Sequence, residues 1–196
     1  MPTERGASAP LFVCEHMTAR FTHRLATLED LPALREVMRR SIESLQDNFL
    51  TTEQIRASHQ VMGLDTQLVQ DGTYFIVERD GRIAGCGGWS WRSTLYGGDT
   101  SIVDREPRAL DPETEPARIR AMYTDPDFVR QGVGRLVIRL CEDAARQAGF
   151  RRTTMMATMA GVPLYSACGY EEVEPILSNP IGGVRVPLVR MEKRLG

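Results

Sequence analysis

Lysine is almost missing from this chain: of its 24 basic residues, all but Lys193 are arginine. A GC-rich coding bias is the preferred reading of such a skew over a functional one. With 26 acidic residues the formal charge is −2, which leaves no electrostatic case for nucleic acid as a partner. Cysteine is sparse and scattered (Cys14, Cys86, Cys141, Cys168). No Cys-x-x-Cys pair and no Cys/His group of zinc spacing occurs, so neither a disulfide framework nor a metal is expected. Thiols spread through apolar segments suit small core residues in a reducing cytoplasm. No apolar run approaches a membrane span, and Leu11-Phe12-Val13-Cys14 is too short for the core of a secretory signal. Repeats and low-complexity segments are absent too. What is present is globular in kind: 196 residues, 42% hydrophobic and 26% charged, enough for one domain with a full core.

Residues 1–18 have no period and read as a loose tail, with Met17 a candidate start of the folded unit; residues 19–196 read as a single domain. A short strand at 21–26 precedes Thr27, an N-cap with Asp30 three residues on. Leu31, Leu34, Val37, Met38, Ile42 and Leu45 then recur at helical spacing. Thr51 with Gln54 starts a second helix that Gly63 stops, and 64–70 suits a further short one. Strands at 73–78 and 83–91 flank an Asp80-Gly81 turn. Gly85, Gly87 and Gly88 are unusual inside a strand and suggest close approach of something to the backbone. Trp89 and Trp91 share a face by strand period, as core or as cleft lining, with core preferred. Residues 95–117 form a long connection with six acids against Arg105 and Arg108, either a solvated insertion or an acidic lip for a cationic amine. A strand at 117–124, a helix at 132–147, a strand at 153–157, a short helix at 161–168 and strands at 170–177 and 184–194 complete the order.

The organising stretch is Asp125-Pro126-Asp127-Phe128-Val129-Arg130-Gln131-Gly132-Val133-Gly134-Arg135. A strand feeding a glycine-bearing turn that opens a helix can bind phosphate, because the first helical N–H groups are unpaired and the dipole is positive there. A P-loop would need Gly-Lys-Ser/Thr, but Gly134 is followed by Arg135-Leu136. A dinucleotide fingerprint would need a third glycine where Val137 stands, and would follow the first strand.

The segment from Arg120 to Leu136, with Arg130-Gln131-Gly132-Val133-Gly134-Arg135 at its centre, resembles the acetyl-CoA motif of the GCN5-related N-acetyltransferases. Leu164-Tyr165-Ser166-Ala167-Cys168-Gly169-Tyr170 resembles their second signature, and the element order is similar from about residue 21 onward. The resemblance implies a mixed α/β (α+β) fold with a mostly antiparallel seven-stranded sheet and about four flanking helices. It implies acetyl-CoA as co-substrate, with Met122, Tyr123 and Thr124 holding the pantetheine arm by backbone groups. Arg130, Gln131, Gly132, Val133, Gly134 and Arg135 would hold the pyrophosphate, and Tyr165 would act as general acid toward the departing thiolate. Three departures are Val129, where Gln or Arg is usual, Thr158, where Asn is usual, and Leu164, where Phe is usual.

Acetyl transfer needs a neutral amine. At pH 7 only about one lysine-like amine in 2,500 is neutral, a cost of roughly 4–5 kcal/mol. A base or desolvation can lower that cost. The strand Ala117–Thr124 carries no carboxylate, and Glu115 and Asp125 only flank it, so a base acting through water is expected. The acceptor is expected to be a small-molecule or peptide amine, and a homodimer is compatible with the resemblance. The rival readings are a non-catalytic acyl-CoA sensor on the same fold, and an enzyme for a larger acyl group housed near the three glycines.

Overall fold

A computed structural model describes residues 21–99 and 108–196. The expected tail at 1–18, with Met17 and Cys14, and the middle of the acidic connection lie outside the described residues. Seven strands form one sheet in the order β1-β2-β3-β4-β5-β7-β6. They are β1 (Thr22–Leu25), β2 (Tyr74–Arg79), β3 (Arg82–Ser90), β4 (Ala117–Thr124), β5 (Arg152–Thr158), β6 (Glu171–Leu177) and β7 (Pro187–Arg194). Every pairing is antiparallel except β4 with β5. The sheet agrees with the sequence expectation, and the helices are one more than anticipated.

Helices α1 (Leu31–Leu45), α2 (Thr52–Val61) and α3 (Thr66–Gln70) precede β2, and α4 (Val133–Gln147) and α5 (Val162–Ser166) follow β4 and β5. The local signals explain their starts. The Asp30 carboxylate accepts from the Thr27 amide at 2.8 Å, and Thr51 and Gln54 exchange backbone and side-chain bonds as a capping box. Asp65 caps α3 through the Gln67 amide. Leu34, Val37 and Ile42 of α1 pack with Leu68 of α3 and with Tyr74 and Ile76 on one sheet face. Val133, Val137, Ile138, Cys141 and Ala145 of α4 pack on the other, with Val77, Ile119 and Met155. Lys193 of β7 donates to both oxygens of Glu142, tying the C-terminal strand to α4.

The glycines of β3 have a packing cause. A Cβ on Gly85 would lie 2.5 Å from Val133 Cγ1, and one on Gly87 would lie 2.8 Å from Val137 Cγ1, so α4 sits directly on the strand. Gly88 faces the opposite side, against Tyr74. That space is filled by helix and core, so the glycines do not make room for a larger acyl group. Trp89 is buried edge-to-face against Phe150, and Trp91 lies beyond the strand end under the Arg92 guanidinium. The preferred core assignment holds for Trp89.

The connection after β3 has more order than its composition suggests. Arg92 bridges to Ala109, and the Leu110 amide donates to the Trp91 carbonyl. Two of its described acids are engaged internally: Asp99 accepts from the Thr66 amide and hydroxyl, and Glu115 takes a two-pronged pair from Arg108. Arg108, aided by the Asp111 amide, pulls the Glu115 pKa down to about 2.

Candidate active site

The site begins with a separation of strands. β4 and β5 pair at Ala117–Thr153, Arg118–Thr154 and Ile119–Met155, after which β4 runs on to Thr124 with no strand along that edge among the described residues. The opening is aided by a bulge. Arg120 faces Gly88 and Tyr123 faces Cys86, so two residues, Ala121 and Met122, oppose the single Gly87. Ala121 has φ +51°, a left-handed conformation unusual for alanine, and the Tyr74 hydroxyl holds it by donating to its carbonyl at 2.7 Å. A strand edge with no described strand beside it offers a place where an extended amide-bearing chain can lie.

Two chambers meet in this opening. The first, with about 270 Å³ open to the centre of a water molecule, lies between α1, β4, the start of α4 and α5. Met122, Tyr123, Thr124 and Gly134, all expected at the donor site, line it, as do Gly161 and Leu164. The second, about 80 Å³ by the same measure, lies between the end of α2, the segment at 95–97, β4, β5 and β7. Met62, Met122, Tyr123, Thr158 and Tyr165 belong to both. Thr158, which departs from the family pattern, thus stands at the junction.

Tyr165 is 8% exposed, and among the described residues no hydrogen bond engages its hydroxyl. Burial raises its pKa above the usual phenol value, so it keeps its proton throughout the neutral range. The ring lies against Gly161: a Cβ there would be 2.5 Å from Cε2 and 3.3 Å from the hydroxyl oxygen. Sequence reasoning marked Tyr165 but missed Gly161 as the residue that makes room for it.

The phosphate-binding turn is built as its sequence suggests. After a 3-10 turn (Pro126–Phe128), Arg130 takes φ +61° and Gly132 φ +87°, with open space where a Gly132 side chain would point. The first helical bond of α4 is Leu136 N–H to the Gly132 carbonyl, so the amides of Val133, Gly134 and Arg135 precede the ladder. Not every expected residue faces outward. Val133 is buried on Gly85, and Gly134 permits the approach of Leu164, which a Cβ would meet at 2.6 Å. The Gln131 amide accepts from Arg79 and donates to the Asp127 carbonyl, and Arg135 donates to the Ala167 carbonyl, fixing α5 against α4.

Negative charge beside the turn is neutralised from elsewhere in the chain. Buried Asp125 accepts from Arg40 of α1 at 2.5 Å, while Asp127 accepts from Arg82 and pairs with Arg40 at 3.3 Å. Without those arginines, two carboxylates would oppose an anion at the helix N-terminus. Neither flanking acid stands free as a base: Asp125 is committed to Arg40 and Glu115 to Arg108. Open N-terminal amides, paired aspartates and a free strand edge together fit a phosphorylated, amide-containing arm.

The walls of the second chamber are held by contacts that the sequence did not indicate. Arg120 of β4 and Asp65 form a buried ion pair at 2.6 Å, and Arg120 also donates to the Gly97 carbonyl at 2.6 Å. The Asp99 amide donates to the Leu64 carbonyl, the Tyr123 hydroxyl donates to the Gly63 carbonyl, and Gly63 and Gly98 cross in backbone contact. Gly63 was visible in the sequence, but as a simple helix stop.

Comparisons with known proteins agree with this geometry. A solved GCN5-related N-acetyltransferase from Rhodopseudomonas palustris superposes with a TM-score of 0.66 at 21% identity, covering 92% of this chain and 99% of that one. A putative acetyltransferase, yncA, from Salmonella typhimurium, solved with acetyl-CoA, gives 0.58 at 18% identity over 91% and 95%. The ribosomal-protein-S18-alanine N-acetyltransferase of Escherichia coli gives 0.55 at 17% identity over 90% and 94%. No protein with a curated description matches the sequence. The model of the acetyltransferase (GNAT) family matches residues 34–170, most of the chain and both chambers' central elements. The chain therefore belongs to the GNAT family of acetyltransferases.

Proposed function

We propose that this protein moves an acetyl group from acetyl-CoA directly to a primary amine of a small molecule or peptide. The observation that carries the reading is the placement of Tyr165 where the two chambers join. The larger chamber, with the free edge of β4 and the N-terminus of α4, suits the donor: pantetheine along Met122, Tyr123 and Thr124, and pyrophosphate at the amides of residues 130–135. The donor supplies an acetyl thioester as the electrophile. The smaller chamber admits the amine from the opposite side.

Holding the two reactants in adjoining chambers lends the reaction effective molarity. A backbone N–H at the Met122 bulge is the natural donor to a carbonyl oxygen on which negative charge grows. The new C–N bond forms as the C–S bond breaks, the sulfur leaves with the electron pair, and the Tyr165 hydroxyl gives it a proton. A free thiol has a pKa near 8.5, so a tyrosine suffices as donor. The proton lost by the amine leaves through water, since Asp125 and Glu115 are held by arginines.

The test is Tyr165→Phe, assayed by release of free CoA thiol with calorimetric affinity for acetyl-CoA measured alongside. Loss of a general acid is expected to lower kcat about 10²-fold or more, with affinity changed little. Turnover equal to the parent would remove the proton-donor role. The engagement of both flanking carboxylates favours one alternative, an acyl-CoA sensor, which would bind acetyl-CoA without turnover over any amine.

A further inference from the structure

We infer that Tyr74 is a positioning residue for the transfer step: through the Ala121 carbonyl, its hydroxyl sets the direction of the Met122 N–H that receives the thioester oxygen. This rests on the acetyl-transfer reading for the role of that N–H, whereas the contacts that hold it belong to the fold. Tyr74 opens β2 and is fully buried in the cluster that contains Leu34, Leu68 and Ile76. A phenol hydroxyl in such a place costs free energy unless it is hydrogen-bonded. Its partners among the described residues are the Ala121 carbonyl, at 2.7 Å, and Cys86 Sγ, at 3.3 Å. The carbonyl is the stronger acceptor as well as the nearer. A glycine clears the route from β2 to β4. Tyr74 pairs with Gly88 of β3, and Gly88 pairs with Arg120 of β4. A Cβ on Gly88 would lie 2.8 Å from Tyr74 Cδ2, so the bare backbone there lets the ring lie across β3 and reach Ala121.

What the ring reaches is the strained residue of the bulge. Alanine at φ +51° persists only where its surroundings over-determine it, because the left-handed region brings its Cβ against the backbone. The Ala121 carbonyl and the Met122 N–H are opposite ends of one planar peptide unit, which is trans like the others among the described residues. Fixing the oxygen therefore fixes the N–H, which points the opposite way. Without the hydroxyl, the carbonyl loses its partner and the peptide is released toward an unstrained conformation. An oxyanion donor works through its preset aim, so such a rotation weakens the transition-state contact and leaves the grip on the pyrophosphate intact. Tyr74 lines neither chamber, and its influence on the reaction passes through this peptide.

The experiment compares the parent, Tyr74→Phe, Ala121→Gly and the double variant, each as the full chain. CoA release over a panel of amines gives kcat and the KM for acetyl-CoA. The infrared band of bound acetyl-CoA, labelled with carbon-13 at the thioester carbonyl, reports the hydrogen bond independently of turnover. Tyr74→Phe is expected to lower kcat about tenfold or more, with KM changed by less than about threefold. Its carbonyl band should move back toward that of the free thioester. Glycine takes a positive φ at no steric cost, so adding Ala121→Gly to Tyr74→Phe should raise turnover about fivefold or more and restore the band. A tyrosine that merely fills the core would show neither the split between kcat and KM nor the recovery. Thermal melting keeps every assay below the transition of its variant. Parent-like kcat and band in Tyr74→Phe would overturn the inference, as would a loss that Ala121→Gly does not relieve. A carbonyl band that depends on Tyr74 in a protein that acetylates no amine would uphold the positioning role and defeat the transfer reading. If Tyr74→Phe does not fold, Gly88→Ala displaces the ring instead, and its loss is judged by the same recovery with Ala121→Gly.

Discussion

Replacing Gly161 with alanine isolates the contribution of tyrosine placement without touching the hydroxyl itself. Gly161 has φ −84°, which alanine adopts freely, so the perturbation is purely one of space. The added methyl would lie 2.5 Å from Tyr165 Cε2 and 3.3 Å from its hydroxyl oxygen. Carbon atoms in contact sit about 3.5–4.0 Å apart, so the ring must retreat by roughly 1 Å. A displacement of that size at a reacting group costs on the order of 10²-fold in rate, near 2.7 kcal/mol of barrier. Overpacking adds about 1–3 kcal/mol of lost stability, to be read from thermal melting and kept separate from the kinetics. The assay is kcat from CoA release at saturating acetyl-CoA, in the parent, Gly161→Ala, Tyr165→Phe and the double variant. If Gly161 acts by seating the tyrosine, its effect should shrink to a few-fold once the hydroxyl is gone, because the two act as a unit. A Gly161→Ala enzyme turning over within threefold of the parent would refute this reasoning. So would a double variant whose losses multiply.

Two further outcomes follow from the packing and the ion pairs. Gly85→Ala should destabilise the fold by about 1–3 kcal/mol, seen as a lower Tm, because its methyl meets Val133 Cγ1 at 2.5 Å and the Tyr123 carbonyl at 2.9 Å. An unchanged Tm would show that α4 can lift from β3 at no cost. Glu115 has a folded-state pKa of about 2, held down by Arg108 and the Asp111 amide, below its unfolded value near 4.3. Its stabilising contribution is complete above about pH 4.3 and disappears as the pH falls toward 2. Glu115→Gln should therefore melt with a shallower acid limb over that window, and an identical limb would show that the exposed pair contributes nothing.

Much of the fold was legible because each element has a local cause. Asp80-Gly81 announces the β2–β3 hairpin, Thr51 and Gln54 announce α2, and the apolar stripe of α4 follows directly from its 3.6-residue period. The donor side of the site was readable for the same reason, since strand, turn and helix are contiguous from Ala117 to Gln147. The walls of the smaller chamber were not, because they come from segments far apart in sequence, and nothing local to Arg120 indicates that it will meet Asp65. In the larger chamber, nothing local to Gly161 indicates a tyrosine ring against its Cα. The bulge at Ala121 is hidden for a further reason: a left-handed alanine contradicts its own preference and exists only because the surrounding sheet imposes it. For the long connection the composition left a solvated insertion and an acidic lip open, with the insertion preferred; of its described acids, Asp99 caps α3 and Glu115 pairs with Arg108.

The brevity of the β4–β5 pairing has a thermodynamic side. Among the described residues, three residue pairs are the only ladder joining the four strands on one side of the sheet to the three on the other. Past them no described strand neighbours β4, so a ligand arm bound there, as proposed, would complete the seam and become a temporary structural member. Affinity and stability are then one quantity measured twice. A ligand that binds only the closed sheet, at a hundred times its Kd, adds about 2.7 kcal/mol to the free energy of unfolding. Amides flanking the seam would exchange with solvent on the ligand's occupancy, and those within the β2–β3 hairpin would keep the pace of the fold as a whole.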